Sequence, residues 1–111
     1  MNNLIDAILE IAKQNPGGFT VKLPTLEWVT KGYVCAYIET QNCFDREGLE
    51  KVVKHALENS QIVGGWLDAE NNLYYYDSSR VFDTENEAIE FGRQNKQLAI
   101  FDLNNFREIR L

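Results

Sequence analysis

Apolar residues recur along the chain with two periods, one of about 3.6 residues and one of two residues, which are typical of helices and strands respectively. The helical period occurs in three segments. It first stops at Pro16 and Gly17, because proline breaks the hydrogen-bond ladder and glycine permits the turn that follows. The three predicted helices cover residues 3–14, 45–58 and 84–95.

The second and third predicted helices begin at residues that are typical caps. Asp45 is the expected N-cap of the second helix, since its carboxylate can accept a bond from a free backbone amide. Thr84 and Glu87 fit a capping box at the start of the third helix. The second helix also carries an apolar stripe on one side, formed by Leu49, Val52, Val53, Ala56 and Leu57.

The period of two residues, with polar turn residues between the runs, predicts six strands. These cover residues 19–23, 33–38, 61–67, 73–77, 97–101 and 107–111. The order is then α-β-β-α-β-β-α-β-β, in which pairs of strands are separated by helices. This order predicts an α+β fold, with a mostly antiparallel sheet of about five to six strands and three helices.

The segment 33–38 is apolar on both faces, which is typical of a central strand. We expect its residues Val34, Ala36 and Ile38 to face the apolar stripe of the second helix. The connection from the strand to that helix is short, and a short connection brings the helix back over the strand it follows.

Length and charge limit the classes of function. The chain of 111 residues has the size of one domain, so residues 1–111 are predicted to form a single domain. Acidic residues outnumber basic ones by 17 to 11, and the formal net charge is −6. Direct nucleic-acid binding is disfavoured, because contacts with phosphates depend on clustered Lys and Arg. An acidic surface keeps a protein soluble, or alternatively it faces a basic patch of a protein partner.

The compartment is predicted from the absence of targeting signals. The apolar runs are far shorter than a membrane span, so no membrane association is expected. The N-terminal residues lack the basic segment and the apolar run of a secretory signal. We therefore expect a cytoplasmic protein in which Cys35 and Cys43 are reduced thiols rather than a disulfide.

Few residues of the chain are of the kinds that carry catalytic or metal chemistry. His55 is the only histidine, and it acts as a general base only if the fold brings a nucleophile or carboxylate to it; otherwise it is a helix-surface residue. One imidazole cannot supply the His-rich ligand set of a typical zinc site. Cys35 and Cys43 have no convincing metal spacing. No catalytic residue, metal or cofactor is therefore predicted.

A polar segment between the central strand and the second helix is the first candidate binding element. It contains Thr40, Gln41 and Asn42. Loops at strand ends commonly carry binding groups. The side-chain amides either recognise a ligand or satisfy the backbone of the turn, as Asn often does.

The fourth predicted strand and the strand before it supply the other candidates, which are Trp66, Tyr75 and Asp77. Three consecutive tyrosines must alternate between the faces of the sheet, so at least one of the rings at positions 74–76 is expected at the surface. Together with Trp66 it forms either an interface patch or part of the core. Gly64 and Gly65 indicate a bulge or a close approach of the backbone.

Several short motifs resemble a group of short proteins carried by bacterial phages and conjugative elements. Related segments occur inside large multidomain proteins of such elements. The resemblance covers most of the chain from Gly18 onward and implies a role in mobile-element biology, including modulation of host defence. It implies no catalytic residue. The motifs are Gly18-Phe19-Thr20-Val21, Lys31-Gly32-Tyr33-Val34, Thr40-Gln41-Asn42, Gly48-Leu49, Gly64-Gly65-Trp66, Tyr75-Tyr76-Asp77-Ser78 and Ala99-Ile100-Phe101-Asp102-Leu103.

Two hypotheses for the function follow. The first is a non-enzymatic protein-binding module of a bacterial mobile element, with a protein partner of unknown identity and an open oligomeric state. The second is a small enzyme acting on nucleic acid, which would use His55 or Cys43 together with residues 40–44. A cleft that unites His55 with Gln41 or Asp77 would favour the enzyme, and separation of these side chains onto opposite faces would count against it.

Overall fold

Three helices form where the helical period predicts them. In the computed structural model, which describes residues 2–111, they are α1 (Asn2–Gln14), α2 (Asp45–Glu58) and α3 (Glu85–Gln94). Each buries one side and leaves the other in solvent, as an amphipathic surface helix does. Within residues 2–111, no helix has the length and apolar content to cross a membrane.

The two predicted caps have different outcomes. The Thr84 hydroxyl accepts a bond of 3.3 Å from the Glu87 backbone amide, so Thr84 is confirmed as the cap of α3. The Glu87 carboxylate accepts a bond of 2.8 Å from the Thr84 hydroxyl instead of the backbone amide that a full capping box uses. The predicted Asp45 cap of α2 is wrong. The N-cap is Phe44, which has extended backbone and no capping side chain, because the chain enters α2 directly from a strand. Asp45 is the first helical residue, where its charge still favours the positive end of the helix dipole.

Eight strands form one antiparallel sheet, which confirms the α+β fold with three helices. The strand order is β2-β1-β5-β6-β3-β7-β8, and β4 pairs with β6. The sheet has more strands than the five to six predicted, because the two-residue strands β2 and β4 are too short to produce an alternating pattern. The strands are β1 (Phe19–Lys22), β2 (Glu27–Trp28), β3 (Tyr33–Ala36), β4 (Cys43–Phe44), β5 (Ile62–Asp68), β6 (Leu73–Phe82), β7 (Ala99–Asp102) and β8 (Arg107–Arg110).

All three helices pack on the same face of the sheet. Helices α1 and α2 cover β1, β5 and β6 through a core that includes Ile8, Val52 and Tyr76. Helix α3 covers β3 and β7 through a smaller core of Cys35, Ala88 and Ile100. The opposite face has no helix over it in the described chain. We call it the open face.

The expected packing of the central strand against α2 is wrong. Strand β3 lies between β6 and β7, so it is central, but its helix-side residues are Tyr33 and Cys35, and α3 rather than α2 covers them. Val34 and Ala36 lie on the open face. Ile38 leaves the sheet in a short 3-10 helix (Ile38–Thr40) and is exposed, as is Leu57 with 39% of its surface accessible. Both faces of β3 are apolar, so the pattern did not identify the face that a helix would cover.

Candidate functional site

The open face is concave and encloses a groove of about 570 Å³. Its lining comes from strands at both ends of the sheet order, so the sheet curls around it. We call this cavity the open-face groove. Alternate residues of β3, β6 and β7 contribute to it, because side chains alternate between the faces of a sheet. The floor includes Val34, Ala36, Gly64, Asp77, Ser79 and Phe101.

The walls of the open-face groove are aromatic and exposed. Trp28 and Trp66 have 48% and 47% of their surfaces accessible, and Phe106 has 80%. The ring of Phe106 packs edge-to-face on Phe101 with centroids 5.6 Å apart. Large apolar side chains that share one concave surface mark a binding site more often than scattered ones do.

Aromatic packing continues from the groove toward the start of α2. The Trp66 ring stacks on Tyr75 with centroids 5.2 Å apart, and Tyr75 packs edge-to-face on the exposed Phe44 at 5.7 Å. The neighbouring rings of Tyr74 and Tyr76 lie on the helix side and belong to the core. The alternation of the three tyrosines thus places the half-buried ring of Tyr75 on the open face and the other two rings on the helix side, and Trp66 is exposed.

A second cavity of about 310 Å³ adjoins the groove, and we call it the loop cleft. It shares the residues Ala36, Trp66, Asp77 and Gln97 with the open-face groove. The six candidate binding residues all line the loop cleft, although they come from three separate segments of the chain. They are Thr40, Gln41, Asn42, Trp66, Tyr75 and Asp77.

The polar residues of the loop cleft differ in how freely their side chains can bind. The Thr40 hydroxyl is buried and already accepts a bond of 3.0 Å from the Ser78 amide. Asn42 has a φ of 60°, a left-handed conformation that Asn tolerates in turns. Gln41 is exposed, and its side-chain oxygen accepts a bond of 3.2 Å from Gln97. Thr40 and Asn42 therefore have structural roles in the turn, while Gln41 points its amide at the cleft lining.

Asp77 lies where the two cavities meet and lines both. Its Oδ1 accepts a hydrogen bond from the Ser79 hydroxyl. Burial raises the pKa of Asp77, and the bond from Ser79 opposes this rise. A methyl group at position 64 would lie 3.0 Å from Oδ1, so Gly64 leaves the space that the carboxylate occupies. The paired glycines thus mark a close approach, and β5 pairs through them without a bulge.

The charged residues of both cavities have one sign. Among the described residues, the charged side chains in the lining are those of Asp77 and Glu108 in the groove and Asp68 and Asp77 in the loop cleft. The site is therefore an aromatic surface with carboxylates, and it would attract a positively charged ligand.

His55 lies on the other side of the sheet. Its Nδ1 is 2.7 Å from the Ser78 hydroxyl, and its Nε2 is 3.3 Å from the Glu39 carboxylate. Serine, histidine and acid also form the hydrolase triad, but Ser78 has none of its surface accessible, so a substrate cannot reach its oxygen. Because Asp77 and Ser78 are consecutive in β6, Asp77 faces away from His55, and the fold does not unite them.

The two thiols are free, and the pKa of each is raised above its ordinary value. Cys35 is buried, and burial raises the pKa of its thiol to about 11, with a smaller contribution from the charge of Asp77. Burial also raises the pKa of Cys43, and the nearby charge of Lys51 offsets only part of this rise. Both thiols therefore stay protonated at neutral pH, and a protonated thiol is a poor nucleophile.

Sequence reasoning missed Trp28, Phe101 and Phe106 as site residues. Trp28 lies in a segment whose pairing the pattern did not decide, and Phe101 lies on a strand that is apolar on both faces. Phe106 lies in the turn between β7 and β8, where an aromatic residue directly after Asn104 and Asn105 was the one available signal in the sequence.

Neither a metal-binding group nor a similar known protein indicates the chemistry of the groove. Within residues 2–111, no group of three His, Cys, Asp or Glu side chains is arranged to hold a metal ion. Comparison of the chain with protein-family models, with curated proteins and with solved structures finds no match.

Proposed function

We propose that the protein is a non-enzymatic protein-binding module and that the open face of its sheet is the binding surface. The observation that supports this proposal is the set of exposed aromatic rings around the open-face groove, chiefly Trp28, Trp66 and Phe106. Tryptophan and tyrosine are enriched among the residues that dominate the energy of protein interfaces. A concave face that carries them without a covering helix offers a large apolar area to a partner.

A sheet with exposed aromatic rings can also stack the bases of a single-stranded nucleic acid. Such proteins combine the rings with basic residues that follow the phosphates. Here the charged lining residues are Asp68, Asp77 and Glu108, and the net charge of −6 would repel a phosphate backbone. A protein partner therefore fits the charge of this surface better than a nucleic acid does.

The proposed setting is the cytoplasm of a bacterium that carries a mobile element, where the module would modulate host defence. The resemblance of the sequence motifs supports the mobile element, and the free thiols of Cys35 and Cys43 support a reducing compartment. Expression in a bacterium with an active defence system, followed by phage challenge, measures this part of the proposal. We expect expression of the parent protein to change the efficiency of plating of the phage, and expression of the double variant Trp66→Ala, Tyr75→Ala to leave it unchanged.

Affinity capture from a bacterial lysate tests the binding surface. We expect the parent protein to retain a defined partner, and the double variant Trp66→Ala, Tyr75→Ala to lose it, because the stacked pair is removed from the groove edge. A tenfold weaker affinity of the double variant for the captured partner corresponds to a loss of about 1.4 kcal/mol of binding free energy.

Leu57→Ala is the matched control for this experiment. Leu57 is an exposed apolar residue of α2, on the helix side of the sheet. We expect this variant to retain the partner as the parent does. Equal retention by the parent and the double variant, or retention of no partner by the parent, would contradict the proposed function.

A further inference from the structure

We infer that the open-face groove and the adjoining loop cleft recognise an arginine side chain that the partner protein presents, with its guanidinium group on the Asp77 carboxylate. This inference rests on the proposed protein-binding function and names the chemistry of the partner. Charge, space and aromatic packing around Asp77 each contribute to it.

The charge of the site favours a cation. The charged lining residues of the two cavities are carboxylates, and Asp77 is the one that lies at their junction. The carboxylate lies opposite Gly64 in a groove whose floor is mainly apolar, where it has given up part of its hydration. A buried carboxylate is stabilised by a positively charged partner with hydrogen-bond donors, which restores what water supplied.

The carboxylate also has free capacity to accept hydrogen bonds. An ionised carboxylate has about four acceptor sites on its two oxygens, and in the described structure the Ser79 hydroxyl uses one of them. The bond from Ser79 fixes the orientation of the group. Gly64 adds no side chain beside it. A guanidinium group has five donors in a planar fork that matches a carboxylate, which an ammonium group does not.

Aromatic rings next to Asp77 provide the second half of an arginine site. Trp66 and Tyr75 form a stacked pair that lines the loop cleft together with Asp77. Guanidinium groups stack on aromatic faces, and a cation within about 6 Å of a ring centroid is attracted by the ring. Arginine is more weakly hydrated than lysine, so it loses less when it enters a mainly apolar cavity.

Blocked tripeptides test this inference directly. The probes are acetyl-Gly-Arg-Gly-amide, the same peptide with citrulline, which has nearly the same shape but no charge, and the peptide with lysine. Binding is measured from backbone amide and tryptophan indole shifts in nuclear magnetic resonance titrations. We expect the arginine peptide to give saturable shifts around Gly64, Trp66 and Asp77, with affinity at least tenfold higher than that of the citrulline and lysine peptides.

Two variants locate the interaction. Asp77→Asn keeps the shape of the side chain and is expected to lower the affinity for the arginine peptide at least tenfold. Glu58→Gln, which removes a carboxylate of α2 on the other side of the sheet, is expected to leave it unchanged. The citrulline comparison uses the unmodified protein, so it decides the question even if Asp77→Asn unfolds. Equal binding of the arginine and citrulline peptides, or no saturable shift with the arginine peptide, would overturn the inference.

A displayed library of random heptapeptides separates this inference from the proposed function. Selected peptides that need Trp66, contain arginine and lose binding in Asp77→Asn support both. Selected peptides that need Trp66 but contain no arginine leave the binding module in place and overturn the arginine site. Selection of no peptide that depends on Trp66, or titration of the same amides by an oligothymidine strand, overturns both.

Discussion

Two aspartates of the sheet have opposite electrostatic environments. Burial raises the pKa of Asp77, which receives one opposing hydrogen bond from Ser79. The pKa of Asp102 is lowered, first by the side-chain amide of Asn105, and further by backbone amides and Arg107. Several hydrogen-bond donors of the turn between β7 and β8 thus stabilise the charge of Asp102, while only the Ser79 hydroxyl donates to Asp77 in the described structure. A shifted pKa is also a statement about stability, so the two residues have measurable effects of opposite sign.

Asp77→Asn is expected to raise the free energy of unfolding at pH 7. The folded state binds the Asp77 proton more tightly than the unfolded state does, so ionisation of this group costs stability at every pH above its raised pKa. The gain from the variant should shrink as pH falls through that pKa and vanish below about pH 4, where the carboxyl group is protonated in both states. Urea unfolding followed by circular dichroism at several pH values measures it.

Asp102→Asn is expected to lower the free energy of unfolding at pH 7. Its folded-state pKa is depressed, so the carboxylate contributes stability above its ordinary pKa of about 4, and this contribution is lost as pH falls through the folded value. The same urea experiment therefore gives curves of opposite sign for the two variants. Effects of the same sign at pH 7 would show that one of the two environments is wrongly described.

At the scale of single elements, β5 shows how one strand serves both faces. Its consecutive glycines face opposite sides, Gly65 toward the helices and Gly64 toward the groove. A methyl group at position 65 would lie 2.6 Å from the Phe19 ring and 2.8 Å from the Tyr74 ring. These rings belong to the packed core, so neither has room to move far.

Gly65→Ala is therefore expected to destabilise the protein by roughly 1–3 kcal/mol, the usual cost of overpacking a core. Gly64→Ala is the matched variant, because its methyl group meets the Asp77 carboxylate instead of the core. We expect it to keep most of the stability and to weaken binding of the arginine peptide. Urea midpoints and peptide titrations measure the two effects, and equal loss of stability in both variants would contradict this division of the strand.

Helix α2 offers two leucines for a matched test of its packing. Leu49 is fully buried, whereas Leu57 is 39% exposed. Leu49→Ala should lower the free energy of unfolding by roughly 2–5 kcal/mol, because it leaves a cavity in the core. Leu57→Ala should cost less than about 1 kcal/mol, as surface substitutions usually do. Urea unfolding of both variants checks the orientation of the helix, and equal shifts would contradict it.

The sequence predicts where the helices and longer strands lie better than it predicts which of them pack together. The helical period located α1, α2 and α3, and Thr84 identified the start of α3. The pattern could not show which face of β3 a helix covers, because both are apolar, and it therefore placed Val34 and Ala36 on the helix side instead of the open face. Strands β2 and β4, with two residues each, leave no periodic signal.

For the molecule as a whole, the helices gather on one side and the aromatic groove faces solvent on the other. The six candidate residues lie in separate segments, as a polar loop, an aromatic pair and a carboxylate, and the antiparallel pairing brings them to one cleft. The sequence could not show that these residues share a cleft, or that Trp28 and Phe106 line the same groove, since both facts depend on the strand order.

An uncovered groove predicts how the two tryptophans behave in the free protein. Trp28 and Trp66 are each about half exposed, so acrylamide should quench both and give a linear Stern–Volmer plot. The quenching should be the same at micromolar and at high protein concentration, and addition of the arginine peptide should reduce it. Quenching that falls as the protein concentration rises would mean that a second copy covers the groove.

Strand β6 has a consequence for how this protein can change over time. Tyr74 and Tyr76 belong to the core, while the alternate residues Tyr75 and Asp77 line the cleft. The side chains that pack the core and the outward side chains proposed to bind a partner therefore alternate along the same strand. Substitutions at the outward positions can alter the preferred partner without disturbing the core, so a lineage under pressure from a changing target could diversify the concave surface while it inherits the scaffold intact.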